Sequence, residues 1–235
     1  MIVVIGTPAW QPPSEATPGR AVGVAVEIAR AGVDDGADVE LVAKVGEDPA
    51  GESVMLDLAR AGIGHAAVLR AAAAATPTAP PDPPADDGIP LDADIASLVA
   101  MDVEPVTTRG GSNGRTAAAV AVPSLALEPA DLELALRYLV DFRVVVMAEP
   151  LSAGSRAVVS EAAAFAGAAL VAVAPDGATA DLPADATVFE PPVDDEASAF
   201  ARLVGGYAAG LDRGDSPDAA FRAASVERGW EPAGP

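Results

Sequence analysis

GADVELVAKVGEDPAGESVMLDLARAGI, residues 36–63, holds a strand, a turn and a helix in one short run. VELVA (39–43) is apolar and partly β-branched, the composition of a strand buried on both faces. Beyond it, Val54, Met55, Leu58 and Ala59 fall on one face of a helix over 51–61, and Gly62 stops that helix. Working towards the N-terminus, Ala21, Val24, Ala25, Ile28 and Ala29 keep the i, i+3, i+4, i+7, i+8 spacing of an amphipathic helix. MIVVI supplies a second buried strand (2–5) ahead of it. Residues 1–70 therefore read β-α-β-α-β, a doubly wound unit with a parallel sheet.

Towards the C-terminus the pattern breaks and then returns. Five alanines (71–75) lead into TPTAPPDPPADDGIP, where proline density predicts an exposed loop rather than regular structure. Residues 91–122 read as a β excursion, SLVAM, VEPVT and TAAAVAV, with Asn113-Gly114 as its hairpin turn. Pro129 then opens a helix whose apolar face is Leu132, Ala135, Leu136 and Leu139. RVVVM (143–147) is the clearest central strand. A helix over about 153–166, strands at 169–173 and 186–189, and a stripe of Phe200, Leu203, Val204, Tyr207 and Ala208 follow. Ser216-Pro217 caps a last helix. The domain is thus assembled from 1–76 and 123–235, with 77–122 as a proline-rich loop plus a small β lid or insert.

Hydrophobic residues make up 51% of the chain and aromatics only 4%, so its core rests on Ala, Val, Leu and Ile. With no cysteine, disulfides, thiolate metal sites and cysteine nucleophiles are excluded. The net charge of −21 forms a solvated acidic coat that repels nucleic acid and anionic lipid. No basic leader and no apolar run of about 18 residues is present, which predicts a cytoplasmic chain rather than a secreted or membrane-spanning one.

The 36–63 run resembles the ribokinase-like (PfkB-type) carbohydrate kinases, in which a strand ending in VGxD is followed by P-x-G and a helix closed by glycine and a β-branched residue. Here these are Val45, Gly46, Asp48, Pro49, Gly51, Gly62 and Ile63. PGRAVGVAVEIARAG (18–32) is similar to the family's substrate motif, LEPADLELAL (127–136) to its L-T-P-E-D helix start, and 143–175, 188–205 and 206–224 to later segments, in the family's order. The resemblance implies a mainly parallel sheet flanked by helices and a β lid that closes over a sugar and often pairs with a second subunit's lid; no cofactor is expected, with Mg-ATP as phosphate donor only where the chain is an active kinase. A homodimer is expected on the same ground, since the apolar strand from Ala117 to Val122 needs cover.

The departures bear on chemistry. Phosphoryl transfer needs a base for the substrate hydroxyl, an anion hole and groups that place Mg²⁺. The family supplies base and hole in a Gly-Ala-Gly-Asp motif opening a late helix, and this chain has no such motif. In one alignment Asp195-Glu196-Ala197-Ser198 takes its place, with Ser198 at the base position. In the other, preferred, alignment Asp195-Glu196-Ala197 belongs to the family's Pro-Asn-Glu-x-Glu-Ala motif, and the nucleotide-binding strands and catalytic helix start are deleted. A helix start bearing Asp194, Asp195 and Glu196 repels phosphate either way. Further, Pro18 replaces the first glycine of the substrate motif and Gly23 its asparagine. No acid follows strand 1 in GTPAWQPPS, and Ala174 and Val193 stand where asparagines are expected.

No catalytic residue is assigned. Gly19, Gly23 and Glu149 are the substrate-contact candidates: the glycines either admit close backbone approach or serve tight helix–sheet packing, and Glu149-Pro150 ends the central strand at the carboxyl edge, as a ligand contact or as the turn into the next helix. Arg109, Gly110, Gly111 and Arg115 are the anion candidates, in a segment that equally suits an exposed hairpin. Glu196 is the metal candidate. His65 is assigned to a strand edge, and Trp10 either caps an apolar pocket or is buried at an interface. Three functions stay open: a catalytically inactive pseudokinase retained for sensing a sugar-like molecule, for regulation or for assembly; an active ATP-dependent sugar or nucleoside kinase with a rearranged site; and a structural homo-oligomer.

Overall fold

β1 (Ile2–Ile5) lies at the middle of the molecule, and all four of its residues are buried. The computed structural model describes residues 1–15, 17–80, 125–175, 182–192 and 199–226. After β1 come a short hairpin, β2 (Ala9–Gln11) and β3 (Arg20–Val22), then α1 (Val24–Asp34), β4 (Val39–Gly46), α2 (Pro49–Arg60) and β5 (Val68–Ala71). Beyond residue 124 follow α3 (Pro129–Tyr138), β6 (Val144–Met147), α4 (Ala153–Ala166), β7 (Ala169–Val173), β8 (Thr187–Phe189), α5 (Ala199–Arg213) and α6 (Pro217–Val226). The β excursion expected over 91–122 and the acidic run Asp194-Asp195-Glu196 lie outside the described residues.

Six strands form one sheet in the order β5-β4-β1-β6-β7-β8, and every pairing in it is parallel. The chain winds outward from β1 to β4 and β5, returns to β6 on the other flank of β1, and winds outward again to β7 and β8. The doubly wound sheet expected from the sequence is present, and its winding reverses between β1 and β6. Among the described residues no helix is long and apolar enough to cross a membrane.

Strand alternation sorts the core into two layers. Ile2, Val4, Leu41, Val45, Val146 and Val171 meet α1, α2, α5 and α6 on one face. Val3, Ile5, Val42, Val145 and Met147 meet α3 and α4 on the other. Small residues set the spacing on the first face: a Cβ at Gly205 would lie 2.5 Å from Ala31 Cβ and 2.6 Å from the Ile28 carbonyl, so α5 rests on the backbone of α1. Gly210 meets α6 the same way, 2.7 Å from Ala220 Cβ. At the β8 flank Phe189 packs edge-on to Phe200 and Tyr207 and is stacked against Phe221, centroids 5.2–6.5 Å away. On the second face Lys44, the chain's only lysine, forms an ion pair with Asp131 at the start of α3.

Two features differ from the sequence expectation. The β2–β3 hairpin interrupts the simple β-α-β-α-β reading of residues 1–70. Its strands of three residues, set apart by Pro12, Pro13 and Pro18, are too short to show alternation. α2 starts at Pro49, earlier than Gly51, because the Asp48 carboxylate caps it by accepting from Gly51 N.

Candidate functional site

β1 runs on into Gly6-Thr7 and β6 into Ala148-Glu149. The two neighbours leave the sheet at its carboxyl edge where the winding reverses, the place at which open α/β sheets bind ligands. Ala148 N donates to Ile5 O at 2.9 Å and keeps the ends in register. Thr7 Oγ1 then donates to Glu149 Oε1 at 2.8 Å, so the half-buried carboxylate is oriented by one bond and keeps acceptor capacity to spare. α1 can begin this close because Gly6 is bare: a Cβ there would lie 2.7 Å from Ala25 Cβ. Gly23, the N-cap of α1, has φ +118°, and a Cβ on it would lie 3.1 Å from the Thr7 carbonyl oxygen. Glycine is required at that position by backbone conformation.

Beside this pair opens a cleft of about 340 Å³. The hairpin contributes Gln11, Arg20 and Val22, the start of α1 contributes Gly23, Val24 and Glu27, and the start of α5 contributes Phe200 and Ala201. Arg20 Nε donates to Gln11 Oε1 at 3.0 Å, and its guanidinium lies 3.7 Å from Glu27 Oε1. A cation, a carboxylate and an amide thus sit beside apolar Val22, Val24 and Phe200. That set can exchange hydrogen bonds with hydroxyl groups and pack against the carbon face of a small polyol.

The hairpin is pinned in place. Asp57 of α2 accepts from Ala21 N at 2.8 Å and pairs with Arg30 of α1, whose guanidinium also donates to Ala21 O. On the other side Trp10 N donates to Pro77 O at 2.8 Å, and Ala79 N donates to Trp10 O at 2.9 Å.

Asp48 is the second hub. One carboxylate oxygen accepts from Gly51 N (2.7 Å) and Thr76 Oγ1 (2.8 Å), the other from Thr76 N (2.7 Å). Thr76 Oγ1 accepts in turn from Gly46 N. The backbone amides of Gly51 and Thr76 hold the Asp48 carboxyl below its usual range. Cβ atoms at Gly46 and Gly51 would fall 2.3 Å from carbonyl oxygens. The VGEDPAG motif therefore works as a clamp that closes the turn between β4 and α2.

Of the candidates read from the sequence, Gly23 lines the cleft and Glu149 stands beside it, bonded to Thr7. Gly19 does not line it: a Cβ there would lie 2.6 Å from Trp10 Cζ2 and 2.9 Å from Pro13 Cδ, so the glycine serves packing inside the hairpin. Arg109, Gly110, Gly111, Arg115 and Glu196 lie outside the described residues. His65 follows α2 in the turn towards β5, with Nδ1 3.2 Å from Ile63 O. Trp10 packs against the main core from β2. Sequence reasoning missed Thr7, Gln11, Arg20 and Glu27. Arg20 and Thr7 carried a positional signal, the one lying between Gly19 and Gly23 and the other just past the end of a buried strand. Among the described residues no group of three or more His, Asp or Glu side chains is gathered to hold a metal ion.

No family profile matches the sequence, and no curated protein does. Solved structures do match the fold. Phosphofructokinase-2 from Escherichia coli, in complex with fructose-6-phosphate, is 14% identical, with 97% of this chain and 91% of that one covered at a TM-score of 0.59. Arabidopsis thaliana ribokinase complexed with ribose and ATP is 14% identical over 97% and 90% of the two chains, TM-score 0.58. A PfkB protein from Polaromonas sp. JS666 is 13% identical over 98% and 96%, TM-score 0.56. The likeness establishes a ribokinase-like fold, as the motif at 36–63 implied.

Proposed function

We propose that this chain is a non-catalytic ribokinase-like protein that binds a small polyhydroxylated ligand at the carboxyl edge of its sheet and serves as a sensor or regulatory partner. The observation that carries the proposal is the Thr7–Glu149 pair at the reversal between β1 and β6, beside the mouth opened by Gly23. Glu149 accepts from the Thr7 hydroxyl there, and Arg20 and Gln11 on the hairpin line the cleft with donors and an acceptor.

Phosphate transfer asks for more. The sequence leading into α5 is Asp194-Asp195-Glu196-Ala197-Ser198, with no glycine amides for an anion hole. In the preferred alignment the catalytic helix start is deleted; in the other, Ser198 takes the place of the base, and its hydroxyl, protonated near neutral pH, cannot take a proton from a sugar alcohol unaided. Among the described residues no carboxylate set for Mg²⁺ is gathered, and the metal candidate Glu196 lies outside them. Ribose and ATP are partners of the Arabidopsis ribokinase, and fructose-6-phosphate of the E. coli phosphofructokinase. The side chains of the cleft suit the sugar half of that chemistry. We assign 1–76 and 123–235 to the α/β domain and 77–122 to its insert.

Thermal unfolding with a sugar and sugar-phosphate panel, with and without Mg-ATP, tests this. A rise in Tm with a sugar alone supports the proposal. A rise with Mg-ATP accompanied by a phosphorylated product replaces it with an active sugar or nucleoside kinase. No rise with any compound leaves the structural homo-oligomer.

A further inference from the structure

The second face of the sheet ends in an apolar groove far in sequence from the cleft residues. α3 and α4 pack side by side, and between their carboxyl-terminal turns and the segment entering β6 lies a hollow of about 790 Å³. Leu136, Val140, Phe142, Val158 and Phe165 give it an apolar lining. Phe165 is 95% exposed and Val140 69% exposed. A fully exposed phenylalanine at the lip of a hollow is the kind of apolar surface that marks an interaction site.

The charged groups at the rim are uneven. Glu133, Asp141 and Glu161 are exposed carboxylates lining the groove, and Arg137 is its one cation. None of the three carboxylates forms an ion pair with another described residue, whereas Glu27, Glu52 and Asp215 elsewhere on the surface each face an arginine. A second copy would bring the same three carboxylates against them, on a chain of net charge −21. That repulsion disfavours self-association through this face. A basic occupant instead meets unneutralised carboxylates around an apolar floor.

We propose that the α3–α4 groove docks a basic amphipathic helix of another protein, its apolar stripe against Phe165, Val140 and Leu136 and its lysines or arginines over Glu133, Asp141 and Glu161. Two neighbouring helix ends form the walls, which suits a helix laid in a groove with anchors at i, i+3, i+4 and i+7. The proposal is independent of what the carboxyl-edge cleft binds.

The test uses the full chain and three labelled synthetic helices. One carries leucine at i, i+3, i+4 and i+7 and lysine elsewhere, one is its scramble, and one has glutamate for lysine. The first should bind saturably, weaken as salt rises, and lose about tenfold in affinity or more to Phe165→Asp and to Val140→Asp, as anchor positions do. The scramble and the acidic helix should bind about tenfold more weakly, or less still. Equal binding of the scramble, or binding indifferent to both substitutions, overturns the proposal. So does a wild-type dimer in sedimentation that Phe165→Asp dissolves, since the occupant is then a second copy. A Tm several degrees lower in Phe165→Ser would show the ring covered by the chain's own residues, with the same consequence.

Discussion

The two faces of the sheet are finished to different degrees. On one, α1, α2, α5 and α6 are drawn in until glycines touch backbone: Gly205 on α1, Gly210 on α6, Gly6 under Ala25. On the other, α3 and α4 lie over Val3, Ile5, Val145 and Met147 and leave Phe165 and Val140 in solvent. A close-packed interior has no tolerance for an added methyl, whereas an open groove does. The contrast separates a close-packed face from one that leaves large apolar side chains in solvent.

Five substitutions would break or sharpen that contrast. Gly205→Leu should be the most damaging, because every rotamer enters Ala31 or the Ile28 carbonyl. A loss of about 3 kcal/mol or more in urea unfolding is expected, and tolerance of the leucine would mean that α5 does not rest on α1. Asp48→Ala removes the cap of α2 and the bonds to Thr76, for an expected loss of about 2 kcal/mol at neutral pH. The folded carboxyl lies below its ordinary value of 3.8, so its stabilisation is complete above that value and fades as pH falls through the lower folded pKa. The gap between wild type and Asp48→Ala should therefore narrow below about pH 4, and a gap that widens there would contradict the clamp.

Thr7→Val frees the Glu149 carboxylate at the boundary between the faces. A stability change of about 1 kcal/mol is expected, and Glu149→Gln should abolish any sugar-dependent rise in Tm while the protein stays folded. Phe165→Ser should be the mildest, within about 0.5 kcal/mol of wild type by urea unfolding, because the ring contributes nothing to the interior.

Much of this architecture was legible in the residues. VELVA, RVVVM and ALVAV are near-continuous apolar runs because both faces of their strands are covered, and each appears as a central or near-central strand. Gly19 and Gly23 stood out because a recognised pattern brackets them. A pattern does not show that Gly23 takes φ +118° beside the Thr7 carbonyl or that Trp10 folds back over Gly19. The β2–β3 hairpin was hidden because antiparallel pairs of three residues between prolines carry no periodicity. Thr7 was hidden because a lone hydroxyl past the end of a strand gives no sign that Glu149 of a distant segment lies within 2.8 Å of it. Glu27 lies off the apolar stripe of α1, and nothing in the sequence shows that Arg20 of the hairpin comes within 3.7 Å of it.

Lys44 has a practical consequence. It is the only lysine in the chain, and its side chain, 14% exposed, is held by Asp131 between β4 and α3. Amine-directed acylation, cross-linking or tagging therefore finds one internal target, reachable when α3 lifts. The rate of Lys44 labelling against time is a built-in gauge of how often that helix opens.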